Sequence, residues 1–276
     1  MNTTTLNYAA PDSLQGVLSL LAQAGSRVLP TSASLPKAVA PGTTLVSLRK
    51  VPGLSGVRAD ADALHIGTSV TYAQLQQSQL LSGHAALVQA LASIREPHLC
   101  NHCTLGGALH EGGAAHAPVL AALMALGAQA VALGADGSSQ SLPLEGLSAQ
   151  GQRVPFASGK LASEVALVAV PGTLSAYCAL SQLSGFEPDR GVAVALRLSG
   201  RTVESVRLVL AGFSEQPMRL LAVEAAVAGG TLDASRIAQA SEQVSSLVLS
   251  AQRKDTPQDY LQQLAKVLVR RALGQF

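Results

Sequence analysis

The apolar stretch from residue 117 to residue 134 constrains the fold more than any other part of the chain. It is about as long as a short membrane span requires, but Pro118, Gly127 and Gln129 interrupt it. Because Gly127 favours a turn near its centre, the stretch predicts a buried helix followed by a buried strand. The polar residues 1–8 predict no secretory signal. We therefore expect a soluble, cytoplasmic protein with no membrane span.

Charge and aromatic content exclude several classes of function. Nineteen basic and seventeen acidic residues leave a net charge of +2, and aromatic residues make up 3% of the chain with no Trp. Such a chain suits neither a nucleic-acid groove nor a stacking platform for bases, so we expect no nucleic-acid partner. Charged residues make up only 13%, below the usual level of about 25%. A surface with so little charge is expected where partner chains cover part of it.

The first 50 residues alternate short strands and helices. Asp12 or Ser13 can cap a helix over residues 14–21, whose apolar side chains follow the period of an amphipathic helix. Strands are predicted over residues 27–29 and 44–48. Together these elements make a small β-α-β unit.

The rest of the chain divides near Pro171-Gly172. The elements predicted before this point are a hairpin over residues 57–66, helices over 72–80 and 85–94, a loop over 96–117, and strands over 128–133 and 164–170. The elements predicted after it are strands over residues 192–198 and 203–211 and helices over 234–249 and 256–273. We therefore expect an N-terminal domain over residues 1–170, with subdomains of about 1–52 and 53–170, and a C-terminal domain over residues 171–276.

The loop predicted between residues 96 and 117 contains two diglycines, Gly106-Gly107 and Gly112-Gly113. Glycine lets backbone N–H groups approach and surround a phosphate oxygen, so this segment can cradle a pyrophosphate. A plain tight turn explains the same glycines equally simply. The diglycines alone do not decide between the two interpretations.

The same segment also carries a possible metal site. Cys100 and Cys103 are spaced as Cys-x-x-Cys and lie beside His98 and His102, which is ligand chemistry for zinc or a similar metal. An iron–sulfur cluster with four cysteine ligands is excluded because the chain has only three cysteines. We expect no metal, and we keep these four residues as an alternative. Three cysteines also make no disulfide framework, which fits a reducing compartment.

Motifs of other enzyme classes are missing from the sequence. It contains no Gly-x-Ser-x-Gly elbow, no Walker A loop and no Gly-x-Gly-x-x-Gly. The leucines Leu261, Leu264 and Leu268 are spaced to form a core or subunit contact rather than a catalytic group.

Several segments in one register resemble a known family. Tyr8-Ala-Ala-Pro-Asp-Ser-Leu14, Leu64-His-Ile-Gly-Thr-Ser-Val-Thr71 and Asn101-His-Cys-Thr-Leu-Gly-Gly107 match its motifs, as do Pro217-Met-Arg219 and later positions. The family is that of the FAD-binding medium subunits of the molybdenum hydroxylases, which include xanthine dehydrogenase and carbon monoxide dehydrogenase. Glu224 and Asp255 match family positions as well, and we expect them to be surface or capping carboxylates.

The resemblance implies both a fold and a function. It implies an α+β protein in which a PCMH-type FAD-binding domain of two subdomains precedes a sheet-plus-helices domain of the CO dehydrogenase flavoprotein C-terminal type. The subunit would relay electrons through FAD from [2Fe–2S] clusters to an external acceptor. Its partners would be a large molybdopterin-binding subunit, where the substrate is oxidised, and a small [2Fe–2S] subunit. The residues that the match places at the cofactor are Thr31, Ser32, Ala33, Ser34, Asn101, Thr104, Gly106 and Gly107.

This sequence departs from the family at its FAD motifs. Pro30-Thr-Ser-Ala-Ser-Leu35 stands where the family has Ala-Gly-Gly-x-Ser-Leu, so both glycines are replaced. Ala108 stands in place of an Asn and Cys100 in place of an Arg. These departures favour an alternative, a cofactor-free structural or assembly subunit that keeps the flavin fold. The electron-relay subunit, the structural subunit and the metal-bearing loop remain the three hypotheses.

Overall fold

The N-terminal subdomain is a small parallel sheet with one helix. The computed structural model describes residues 6–29, 40–149, 152–153, 159–180, 190–248 and 257–276. The elements of this subdomain are β1 (Asn7–Ala9), α1 (Leu14–Leu21), β2 (Ser26–Val28) and β3 (Thr44–Val46), with strand order β1-β3-β2. Ser13 caps α1, because its Oγ accepts the N–H of Gly16 at 3.3 Å. The predicted β-α-β unit is confirmed.

An antiparallel sheet forms the second layer, with strand order β4-β5-β10-β6-β7. Its strands are β4 (Val57–Ala59), β5 (Ala63–Gly67), β6 (Gln129–Gly134), β7 (Ser139–Pro143) and β10 (Lys160–Val168); β8 (Ser148–Ala149) and β9 (Gln152–Arg153) pair separately. The Asp60 carboxylate closes the hairpin of β4 and β5 by accepting the N–H groups of Asp62 and Ala63, at 2.9 and 2.8 Å. The predicted hairpin is therefore confirmed.

Five helices connect β5 to β6 and contribute buried residues to one hydrophobic cluster with this sheet. They are α2 (Tyr72–Gln77), α3 (Ala85–Ser93), α4 (Pro97–His102), α5 (Leu105–Glu111) and α6 (Ala117–Ala125). Thr71 caps α2 in a box with Gln74, as its position predicts. All nine residues of α6 are buried, and β6 follows it, which confirms the interpretation of the long apolar stretch. Along the described residues, no helix combines the length and apolar character needed to cross a bilayer.

The loop predicted over residues 96–117 is wrong, because most of that segment is helical. Pro97 occupies the first turn of α4, where its missing N–H costs nothing, so it begins a second helix after α3 has ended at Ser93. Thr104 then caps α5, since its Oγ1 accepts the N–H of Gly107 at 3.1 Å. Gly112 and Gly113, with φ of 63° and 85°, end α5 in conformations that favour glycine.

The C-terminal domain is an antiparallel sheet with helices on one face. Its elements are β11 (Thr173–Leu180), β12 (Arg190–Ser199), β13 (Thr202–Ala211), β14 (Met218–Arg219), α7 (Leu221–Val227), α8 (Ala234–Val248) and α9 (Gln258–Leu273). The predicted pairs of strands and of terminal helices are confirmed, whereas β11 and α7 were not predicted. Leu261, Leu264 and Leu268 are buried against this sheet, as their spacing predicts.

Glu224 corrects one further expectation from the sequence. It is only 6% exposed, so it is neither a surface nor a capping carboxylate. Its Oε1 accepts the N–H of Leu208 at 2.8 Å and the Nε–H of Arg219 at 2.9 Å. The side chain therefore ties α7 to β13 and β14. Asp255 lies outside the described residues.

The two domains share one hydrophobic core. Helices α3 and α6 pack on the C-terminal sheet, and their buried side chains belong to one hydrophobic cluster with those of β5, β6 and β10. The C-terminal sheet contributes mainly small residues to this cluster. These residues are Ala193, Ala195 and Ala211, together with Tyr177 and Val209. Small side chains at this contact let the Ala-rich helix α6 approach the sheet closely.

A buried polar pair anchors the start of α6. The Tyr72 hydroxyl lies 2.6 Å from Nδ1 of His116, and the two rings meet edge to face with centroids 5.8 Å apart. Burial lowers the pKa of His116 to about 4 and raises the pKa of Tyr72 well above its usual value. A neutral imidazole can accept the hydroxyl proton, so the pair is satisfied in the folded protein at neutral pH.

This histidine is expected to make the protein sensitive to acid. Between pH 6.5 and about 4 the unfolded chain binds a proton at His116 that the folded chain excludes, so stability falls as pH falls. At about 1.4 kcal/mol per pH unit the loss approaches 3 kcal/mol. Urea unfolding at pH 7 and pH 4 should show a smaller loss for His116→Gln than for the wild type. The exposed His98→Gln variant is the matched control, and equal losses in all three proteins would contradict the assignment.

Candidate functional site

A cleft of about 310 Å³ lies between the N-terminal sheet and the second subdomain. One wall comes from the ends of β2 and β3 and the residues after them. This wall consists of Val28, Leu29, Leu48 and Arg49. The other wall includes Thr68, Thr71, Asn101, Thr104 and the diglycine of α5, with His102 and His110. The two subdomains thus build the cleft together.

The second wall is held by main-chain pairing between residues 68–72 and 103–106. Gly106 donates its N–H to the Thr68 carbonyl at 2.6 Å, and Leu105 donates to Val70 at 3.1 Å. Thr71 and Thr104 are bridge partners in this short antiparallel pair. Thr68 Oγ1 donates to the carbonyl oxygens of Ala162 and Ser163 in β10, at 3.0 and 3.1 Å. The hydroxyl-rich wall is therefore attached to the central strand of the sheet.

Gly106 acts through its small size rather than through a free amide. A Cβ on Gly106 would lie 2.9 Å from the Thr68 carbonyl oxygen, closer than real Cβ atoms approach a backbone. The N–H groups of Gly106 and Gly107 are already donated to Thr68 and to Thr104 Oγ1. The sequence hypothesis assigned these N–H groups to a phosphate, whereas the structure uses them to assemble the wall.

The lining of the cleft has the chemistry of an anion site. Its polar side chains are hydroxyls of Ser and Thr, the amide of Asn101, two imidazoles and the guanidinium of Arg49. Among the described lining residues there is no Asp or Glu. Hydroxyl and guanidinium groups donate hydrogen bonds to phosphate oxygens. A nearby carboxylate would repel the phosphate, because both groups are negatively charged. This donor set fits the diphosphate of a dinucleotide.

The predicted site residues are distributed unevenly over the structure. Asn101, Thr104, Gly106 and Gly107 all line the cleft, as a common site requires. Thr31, Ser32, Ala33 and Ser34 lie outside the described residues, two positions or more beyond Leu29 in the cleft wall. Sequence reasoning missed Arg49, Thr68 and Thr71 as lining residues. Thr71 was recognised only as a helix cap, and Arg49 follows a predicted strand directly, a position at which a charged residue is unremarkable.

The metal alternative gains no geometric support. The Cys100 thiol is buried and donates to the Ile94 carbonyl at 3.3 Å, and Cys103 is also buried. His98 and His102 are exposed instead. Within the described part of the chain, no group of three His, Cys, Asp or Glu side chains is arranged to hold a metal ion.

Two family models match the chain over most of its length. Residues 4–168 match the FAD binding domain in molybdopterin dehydrogenase. Residues 190–276 match the CO dehydrogenase flavoprotein C-terminal domain. The first match covers the two subdomains that form the cleft, and the second covers most of the C-terminal sheet and its helices.

Individual relatives agree with these matches. The carbon monoxide dehydrogenase medium chain of Hydrogenophaga pseudoflava is 26% identical, with 97% of this chain and 95% of that protein covered. The 6-hydroxypseudooxynicotine dehydrogenase complex subunit alpha of Paenarthrobacter nicotinovorans is 27% identical, with 87% and 84% covered. A solved structure of H. pseudoflava carbon monoxide dehydrogenase superposes with a TM-score of 0.87 at 24% identity, over 99% of this chain and 98% of that chain. This similarity confirms the α+β, two-domain fold.

The family matches, the relatives and the cleft between two subdomains lead to the same assignment. The relatives named above are a medium chain of carbon monoxide dehydrogenase and a subunit of another dehydrogenase complex. The chain belongs to the family of FAD-binding domains of molybdopterin dehydrogenases, with the CO dehydrogenase flavoprotein C-terminal domain attached.

Proposed function

We propose that this chain is the medium, flavoprotein-type subunit of a multi-subunit molybdenum hydroxylase and that it holds FAD in the cleft between its subdomains. The observation that carries the proposal is the anion-compatible lining, which contains Arg49 and several hydroxyls without a carboxylate in its described part. When bound, FAD would take electrons from the [2Fe–2S] subunit and pass them to an external acceptor. The protein itself binds and orients the cofactor.

Arg49 is the residue on which the binding of the diphosphate depends most. The N–H groups of Gly106 and Gly107 are donated within the protein, so they leave little backbone donor capacity on this wall. The Thr71 hydroxyl already donates to Gln74 Oε1 at 3.3 Å, and the other hydroxyls of the lining carry no charge. Arg49 is exposed at the cleft and is the one permanent cation among the described lining residues. A guanidinium can bind two phosphate oxygens at once.

Replacing Arg49 with alanine is expected to weaken FAD binding by about 10- to 100-fold, the effect of losing a charge-assisted hydrogen bond. FAD content per chain after gel filtration, and the dissociation constant from flavin fluorescence, measure this directly. Lys50→Ala is the matched control, because Lys50 is an exposed neighbouring cation that does not line the cleft. Equal flavin loss in both variants, or none in Arg49→Ala, would contradict the role of Arg49.

A cofactor-free structural subunit is the second candidate. The internally satisfied amides of the diglycine favour it, together with the replaced glycines at Thr31 and Ser32. Under this hypothesis the chain co-purifies with its partners but carries no FAD in any preparation. Under the flavoprotein hypothesis, the complex from the native host contains one FAD per copy of this chain. In that case we propose that Thr31, Ser32, Ala33 and Ser34 complete the cofactor site.

The proposed partners are a large molybdopterin-binding subunit and a small [2Fe–2S] subunit, and the proposed compartment is the cytoplasm. Three free cysteines are compatible with a reducing compartment. We also propose the division into residues 1–170 and 171–276, supported by β11, which starts at Thr173 and pairs with β12. A subdomain division near residue 52 is supported by the separate three-stranded sheet that precedes it.

A further inference from the structure

A second concavity, of about 330 Å³, lies on the C-terminal sheet beyond the end of α6. We name it the Arg/Val groove, after Val168, Val170, Arg197, Arg207 and Arg219, which line it. Strand β10 runs from Ala162 at the cleft to Val168 at this groove, six residues further along. At about 3.3 Å per residue, the two sites are separated by about 20 Å. A partner can therefore occupy the groove without blocking the cleft.

Three arginines lie on the sheet face that packs against α6, in the part of that face that α6 leaves uncovered. Arg207 pairs across the sheet with Ala195, and Arg219 pairs with Val209, both of which pack in the shared core. Arg197 lies two residues beyond Ala195 along β12 and so shares its face. The described lining of the groove contains no Asp or Glu. The groove is therefore an arginine-rich ledge that continues the surface covered by α6.

Two of these arginines keep donor capacity for a partner. Arg219 is bound by both Glu145 and Glu224, so its charge is satisfied within the protein. Arg197 has one carboxylate contact, with Glu204 at 3.0 Å, and its side chain is 45% exposed. Arg207 is 41% exposed, and its contact with Glu145 is long, at 3.7 Å. A guanidinium has five N–H donors, so Arg197 and Arg207 can each accommodate another carboxylate.

The opposite wall of the groove is apolar and exposed. Val168 and Val170, at the end of β10 and just beyond it, are 52% and 46% exposed. Exposed apolar side chains grouped beside polar ones are typical of a surface that another protein covers. A small anion would satisfy the arginines but leave the valines in water. The occupant that matches both walls is a polypeptide segment with a carboxylate next to an apolar side chain.

We propose that the Arg/Val groove docks an acidic, partly apolar segment of a partner subunit. The proposal rests on the proposed function, because it requires a multi-subunit complex. Arg197 and Arg207 would bind the carboxylates of the segment, and Val168 and Val170 would contact its apolar side chains. This charged contact is exposed at its rim, so it is expected to weaken at high salt.

The test uses the full chain co-produced with its large and small subunits. Native mass spectrometry and sedimentation measure the dissociation constant between this chain and the other two subunits. Arg197→Glu and Val170→Asp, which place negative charge in the groove, are expected to weaken assembly by about tenfold or more. Arg197→Lys keeps the charge and is expected to retain most of the affinity. Arg201→Glu and Val88→Asp are the matched controls, because both residues are exposed and neither lines the groove.

Each outcome has a distinct meaning. Groove variants that assemble like the wild type overturn the proposal, and so do control variants that lose affinity to the same extent. Melting curves of the isolated variants separate loss of docking from loss of folding. If the wild-type chain joins no complex at all, the proposed function fails, and the groove proposal fails with it. Selective loss in the groove variants supports the proposal.

Discussion

Replacing Glu224 with alanine is expected to lower the free energy of unfolding by about 1–3 kcal/mol, the cost of leaving a buried N–H without its acceptor. The variant leaves the buried N–H of Leu208 without its acceptor and removes one of the two carboxylates that bind Arg219, while Glu145 stays in place. Hydrogen bonds with Glu224 are the main cause of the raised pKa of Arg219, which shows how closely the two charges interact. Urea unfolding of the isolated chain at neutral pH measures the effect.

The matched control is Glu242→Ala. Glu242 forms an ion pair with Lys266 at 2.6 Å, but its side chain is 61% exposed. Exposed pairs of this kind contribute about 0–1 kcal/mol, because water and salt screen them. A similar loss of stability in both variants would show that burial of Glu224 is not the cause. Glu224→Gln separates charge from shape, since the amide can still accept the Leu208 N–H.

The second large effect is expected from Gly106→Val, which should abolish retention of FAD by the purified chain. The new side chain would push against the Thr68 carbonyl and Cβ, 2.9 and 3.1 Å from the added Cβ. Residues 103–106 would then separate from residues 68–72, and the hydroxyl wall of the cleft would open. Overpacking of this kind costs about 1–3 kcal/mol of stability as well.

Flavin content and far-UV circular dichroism, measured on the same preparation, check this expectation. Gly83→Val is the control, because an added Cβ at Gly83 meets no atom within 4 Å and its backbone is not in the left-handed region. Normal FAD retention by a folded Gly106→Val chain would show that the diglycine does not shape the cofactor site. Gly106→Ala should give an intermediate result, since the displacement it requires is smaller.

Most of the secondary structure could be predicted from local patterns. Ser13 and Thr71 are caps whose side chains accept the predicted type of backbone hydrogen bond, and the apolar period identifies the helices that follow them. Two short helices, α4 and α5, were missed because their segment contains Pro97 and two diglycines, which favour a loop. Strand β11 is rich in small residues and has no clear alternation, so it gave no signal either.

The candidate site could be predicted only in part. Motif positions identify Asn101, Thr104, Gly106 and Gly107, which do line one cleft. Only the fold shows that the Gly106 N–H, a candidate phosphate donor in the sequence, pairs with the Thr68 carbonyl. The pairing of residues 68–72 with 103–106 joins segments more than 30 residues apart, and no local pattern reports such a contact. Arg49 also comes from a distant part of the chain, so its place in the cleft wall is visible only in the folded structure.

The core shared by the two domains restricts how this chain can evolve. Two family models match separate parts of the chain, residues 4–168 and 190–276. Yet Ala193, Ala195 and Ala211 of the second part pack with α3 and α6 of the first. A larger residue on either surface would force the other to retreat, because the contact has no spare volume. The halves are therefore poor candidates for exchange between relatives as independent modules. When such chains diverge, substitutions on α6 should be matched by compensating substitutions on the sheet that faces it.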